Sequence, residues 1–168
     1  AAVLPPYKRI VFDEAHGIED SATSFFSESF TRFKVMKQIN LLYRQWRGTR
    51  AGFLVQAAAV SSAEDFTDMA DDRGEKVKEA VTLLDQVSVL LLENDYNVRI
   101  HEGNAESFSE IFDAIAKLHG AIGVFNDMVR EVLEKIDEKD ADIPAVWEAK
   151  TVLHRLESAV VLCNDFVH

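Results

Sequence analysis

Apolar residues recur at alternating spacings of three and four along most of this chain. The longest stripe is Phe108, Ile111, Ile115, Leu118, Ile122, Phe125, Val129, Val132 and Ile136, within residues 104–137. A repeat sustained that far marks one face of a long packed helix. A second stripe, Val146, Ala149, Leu153, Leu156, Val160, Cys163 and Val167, predicts a helix over 143–167 with Pro144 in its first turn, where the missing N–H is no loss. A third, Val77, Ala80, Leu84, Val87 and Leu91, predicts a helix over 75–94. The turn at Lys139–Asp142 is short, so the two longest helices lie antiparallel. No seam position carries an Asn or a charge, which favours packing within one molecule.

Ahead of these helices the pattern is shorter. Thr31 is a plausible N-cap for a helix over 31–47, with Met36, Ile39, Tyr43 and Trp46 as its core face. Gly48 and Gly52 bracket a break, and Phe53–Val60 reads as a short helix. Ser61–Gly74 is polar and acidic and reads as a loop or a frayed turn, and 95–103 as a connector with some extended character. Ile18–Ser27 reads as a short helix with Glu19 and Asp20 in its first turn. The expected fold is therefore all-α, an elongated antiparallel helical bundle, with one short β-strand near the start of the chain.

Charge divides the chain. The net −11 is made of −3 over residues 1–28, +6 over 29–63 and −14 over 64–168. The basic stretch holds Arg32, Lys34, Lys37, Arg44, Arg47 and Arg50 and no acid, interleaved with Phe30, Phe33, Tyr43, Trp46 and Phe53. Cations pair with phosphates and rings stack on bases, so these six residues are candidate contacts for single-stranded DNA. An amphipathic helix with a solvated basic face is the plainer reading of the same pattern.

The single cysteine, Cys163, lies on an apolar stripe and reads as a small core residue. It excludes a disulfide framework, a zinc quartet and an iron–sulfur cluster within this segment. The spacing Asp68, Ala70, Asp72, Gly74 fails as a calcium loop. His101-Glu102 reads as a surface hydrogen-bonding pair. With no signal peptide and no apolar run near membrane length, a cytoplasmic setting is expected.

The most specific chemistry lies at residues 10–16, Ile-Val-Phe-Asp-Glu-Ala-His. An apolar strand ending in paired carboxylates suits the magnesium-and-water half of a nucleoside-triphosphate hydrolysis site. Asp13 is the expected magnesium ligand and Glu14 the residue that orients the attacking water. No Gly-x-x-x-x-Gly-Lys-Ser/Thr phosphate loop accompanies it. With no initiator Met either, the chain is expected to be an internal piece of a longer protein.

Residues Tyr7 to Ala22, with the DEAH box Asp13-Glu14-Ala15-His16 at their centre, followed at once by a long helical segment, resemble the XPD/DinG-like superfamily 2 DNA helicases. Gly17 stands where that family commonly has Asn. The resemblance implies that residues 1–23 close the first motor domain and that 24–168 form the inserted helical Arch domain. It also implies an ATP- and magnesium-driven, 5′-to-3′ helicase acting in DNA repair. His16 would couple hydrolysis to the DNA-bound state, and the insert would help enclose single-stranded DNA beside the motor domains of the same polypeptide. The family often carries an iron–sulfur cluster, which would lie upstream of this segment.

Two other readings stand beside it. One is a self-associating helical bundle with no DNA contact. The other is a docking module whose acidic residues 64–168 bind a repair protein, since a surface of that charge repels phosphates. On the helicase reading, Asp13 and Glu14 lack the lysine and amides that hold the β- and γ-phosphates. The 168-residue chain is therefore expected to release no phosphate from ATP. Magnesium-dependent turnover abolished by Glu14→Gln would contradict this.

Overall fold

A computed structural model describes residues 31–60, 66–92 and 98–167. The expected strand at residues 10–12, the DEAH box, the helix at 18–27 and the boundary at 23/24 lie outside the described residues.

Five α-helices and one β-hairpin make up the described chain. Helix α1 spans Arg32–Leu42, strand β1 Arg44–Trp46, strand β2 Thr49–Ala51, helix α2 Phe53–Ala58, helix α3 Phe66–Leu92, helix α4 Ser109–Glu134 and helix α5 Pro144–Val167. Short 3-10 turns at Ala105–Phe108 and Glu138–Asp140 lead into the last two helices. Helices α3, α4 and α5 have 27, 26 and 24 residues, each about 40 Å long at ~1.5 Å per residue. They form the antiparallel bundle that the stripes predict.

The core follows those stripes closely. On α4, Ile111, Ile115, Leu118, Ile122, Phe125, Val129 and Val132 are all buried. On α5, Val146, Ala149, Leu153, Leu156 and Cys163 are buried. Helices α1 and α2 pack against α5 at one end of the bundle, contributing Val35, Ile39, Leu42, Leu54 and Ala57. At the other end, among the described residues, three helices meet around Ile111, Ile115 and Cys163. Burial pushes the Cys163 thiol up to about 11, as befits a small core residue. One position departs from the apolar seam. Asn126, beside Phe125, is 3% exposed and its Oδ1 has no hydrogen-bond partner among the described residues.

Two boundaries differ from expectation. The segment 31–47 is not one helix. Thr31 does cap α1, its Oγ1 accepting from the Lys34 N–H at 3.2 Å, but the helix stops at Leu42. Tyr43 is extended, and residues 44–51 turn back as a hairpin. Gly52 makes the return feasible. Its φ is +128°, and a Cβ there would sit 2.2 Å from the Leu42 carbonyl oxygen. The second difference is at 61–74, expected as a loop. Here α3 runs from Phe66 and buries Phe66, Ala70, Gly74 and Val77 at helical spacing. Small residues hide that face from a search for large apolar ones.

These two glycines should respond oppositely to alanine. Gly52→Ala is strained in backbone and overlaps a carbonyl, so it should cost roughly 1–3 kcal/mol. At Gly74 a Cβ would meet only Phe125 Cε2 at 3.9 Å, an ordinary contact. Gly74→Ala should stabilise by up to about 1 kcal/mol through helix propensity. Urea midpoints of the two variants check both signs.

Candidate nucleic-acid interface

The six basic residues of 32–50 do not share one surface. On α1, the residues exposed one and two turns apart are Phe33, Lys37 and Asn40. This row leads into the hairpin, where Arg44 pairs with Ala51, Gln45 with Arg50 and Trp46 with Thr49. Arg47 and Gly48 form a two-residue turn, at φ +48° and +80°. Two positive φ values in succession suit the right-handed twist of a tight hairpin, and Gly accepts the second without penalty.

Strand residues alternate between faces, and that alternation sorts the cations. Arg44 and Trp46, with Thr49 and Ala51 opposite, occupy one face. Tyr43, Gln45 and Arg50 occupy the other. The first face opens on a shallow hollow of about 690 Å³ lined by Asn40, Arg44, Trp46, Arg47 and Thr49 together with Gln45 and Ala51. Trp46 is 72% exposed, although its spacing from Tyr43 predicts a core position. The Arg47 guanidinium carbon lies 5.6 Å from the centre of the indole ring, a cation–π distance.

The second face is tied to the start of α3. Arg50 Nη1 donates to Thr67 Oγ1 at 3.0 Å, and Nη2 donates to Asp68 Oδ1 at 3.0 Å and Asp71 Oδ2 at 2.7 Å. The Tyr43 hydroxyl donates to Asp71 Oδ1 at 2.5 Å. Arg32 forms an ion pair with Asp85 on α3. Of the six candidate DNA contacts, Arg32 and Arg50 are thus engaged with acids of α3, 18 to 53 residues away. Lys37, Arg44 and Arg47 make no ion pair with the described residues, and Lys34 has partners of its own.

The remaining candidates fall elsewhere. Asp13, Glu14 and His16 lie outside the described residues. Among the described residues no group of three or more His, Cys, Asp or Glu could hold a metal ion. Asp68 and Asp72, set aside as calcium ligands, are helical and face Arg50 and Lys76. His101 accepts from the Gly103 N–H at Nδ1, 3.1 Å away, within a turn closed by Asn104. No described helix is long and apolar enough to cross a membrane. No family model, curated protein or solved structure matches the chain.

Electrostatics around Asp71 follow from its partners. Desolvation raises its pKa, but the hydrogen bonds from Tyr43 and Arg50 and the Arg50 charge outweigh this and hold the carboxyl below its ordinary value. Burial, then the hydrogen bond and charge of Asp71, push Tyr43 up to about 12. A lowered carboxyl contributes stability that is full above its unfolded pKa and lost as pH falls through its folded one. A raised phenol contributes stability that is full below its unfolded value of 10.0 and lost as pH climbs toward about 12. Tyr43→Phe should therefore cost about 1 kcal/mol near neutrality and should abolish the decline between those two alkaline values. Urea unfolding from pH 7 to 11.5 measures both, and an unaltered alkaline limb would contradict the assignment.

Proposed function

We propose that this chain is the helical insert of an ATP-dependent DNA helicase and that the outward face of its hairpin guides single-stranded DNA. The observation that carries the DNA reading is the grouping of Arg44, Trp46 and Arg47 on one exposed face around an open hollow. An exposed indole offers any base a stacking surface, and flanking guanidiniums meet the phosphates on either side. Lys37 and Phe33, 78% exposed on α1, extend the track along the helix. Helicase identity is supported by Asp13-Glu14-Ala15-His16 and its apolar lead. In the complete enzyme Asp13 would hold magnesium and Glu14 the attacking water, with the phosphates held by motor-domain residues.

A protein-docking reading also has a specific observation behind it. Val89 and Leu90 near the end of α3, and Val161 and Phe166 on α5, are more than half exposed. Asp68 and Leu90 are 22 positions apart along α3, about 33 Å at ~1.5 Å per residue. That apolar end is thus far from the hairpin, and a docking role there is compatible with DNA contact at the other.

Fluorescence anisotropy with a labelled oligonucleotide across a salt series tests the DNA reading. Three cations on a single strand should give a slope of log K on log salt near −2, at about 0.7 per phosphate. Arg44→Glu with Arg47→Glu should reduce binding to background. Trp46→Ala should weaken it about tenfold, within the ~1–3 kcal/mol of one stacked base. No binding at low salt, or binding indifferent to these changes, would leave docking as the function of the module.

A further inference from the structure

The hairpin has little apolar anchorage. None of residues 44–53 is fully buried, so packing alone does not set how the Trp46–Arg47 face is held. The Tyr43 ring, just before β1, is buried edge-on against Phe66; the rest of the attachment is polar and converges on one side chain. Asp71 receives the Tyr43 hydroxyl on one carboxylate oxygen and the Arg50 guanidinium, from β2, on the other. Both ends of the hairpin are thereby fastened to the second turn of α3. Asp68 assists from a side chain that is 93% exposed, whereas that of Asp71 is 26% exposed. The pleat that turns Tyr43 and Arg50 toward Asp71 turns Arg44 and Trp46 away from it.

We propose that Asp71, together with Tyr43 and Arg50, is a positioning latch for the nucleic-acid face, so that DNA affinity depends on an acidic residue. The inference rests on the reading of the Arg44–Trp46–Arg47 face as a DNA interface, and it moves Arg50 from phosphate contact to anchor. It makes a prediction opposite in sign to simple electrostatics. Removing a negative charge close to a polyanion site strengthens binding when only long-range charge matters. At Asp71 the latch reverses that sign. Asp72 is the matched control, since it is one residue away, carries the same charge and pairs with Lys76 on its own helix.

The test uses the whole chain with Trp147→Phe, which leaves Trp46 as the only tryptophan. Trp46 emission anisotropy reports hairpin mobility, and binding of a labelled oligonucleotide reports function. Asp71→Asn should lower the Trp46 anisotropy and weaken binding at least about fivefold, with helical circular dichroism unchanged. Asp72→Asn should leave the anisotropy alone and bind equally or more tightly. Arg50→Lys keeps the charge but loses the fork, and should follow Asp71→Asn more mildly, which covers the case in which Asp71→Asn does not fold. Unchanged anisotropy with equal or tighter binding in Asp71→Asn, or in Arg50→Lys if the former is unfolded, overturns the latch. Absence of binding by the unsubstituted protein overturns the interface reading separately. The anisotropy then still decides the latch, a fall upholding it as the hairpin's anchor and no change refuting it.

Discussion

Asp71 is the side chain on which the arrangement of the basic region depends. The three long helices would pack without it, because their seams are continuous and apolar. The hairpin would not keep its orientation. Its two strands hold three residues each, and an isolated two-stranded ribbon is marginal in water. A carboxylate accepting from a buried phenol and a forked guanidinium supplies what packing does not. Charge-assisted bonds of this kind are directional, so they define how the ribbon sits as well as that it stays.

One consequence is a division of labour within a stretch that looks uniformly basic. Charge counted along residues 29–63 is +6, but α3 brings Asp68, Asp71 and Asp85 against two of those cations. The cations left around the hollow are fewer and lie with an exposed indole. A smaller, aromatic-centred contact would suit the sliding strand of the proposed function, because stacking is tolerant of sequence and few phosphates are gripped at once. On the proposed DNA reading, the strongly acidic remainder of the bundle would repel the strand and confine it to that face.

Much of this fold is legible in the sequence. The stripes from Ile111 to Val132 and from Val146 to Cys163 place the central buried residues of α4 and α5, missing the flanking Ala114, Asn126, Met128, Leu133 and Val152. The hairpin is not legible in the same way, because Tyr43 and Trp46 continue the spacing of Met36 and Ile39 and extend a helical pattern past its true end. Local signals for it do exist. Arg47-Gly48 is a two-residue turn flanked by Trp46 and Thr49, both good strand formers, and Gly52 marks the close return. The start of α3 is hidden for a different reason. Its buried face there is Ala70 and Gly74, which carry no hydrophobic signal, beside a run of charges. The roles of Arg32 and Arg50 are illegible in principle from local pattern, since their partners are distant in sequence and met only after folding.

The most direct test of the account is a nuclear magnetic resonance titration of the whole chain with a short unlabelled single strand. Amide and indole shifts should be confined to Phe33, Lys37, Asn40 and residues 44–49, with the exposed face of α3 from Asp72 to Leu92 unmoved. Shifts centred on the acidic helices or on the apolar end around Leu90, or none at all, would contradict it.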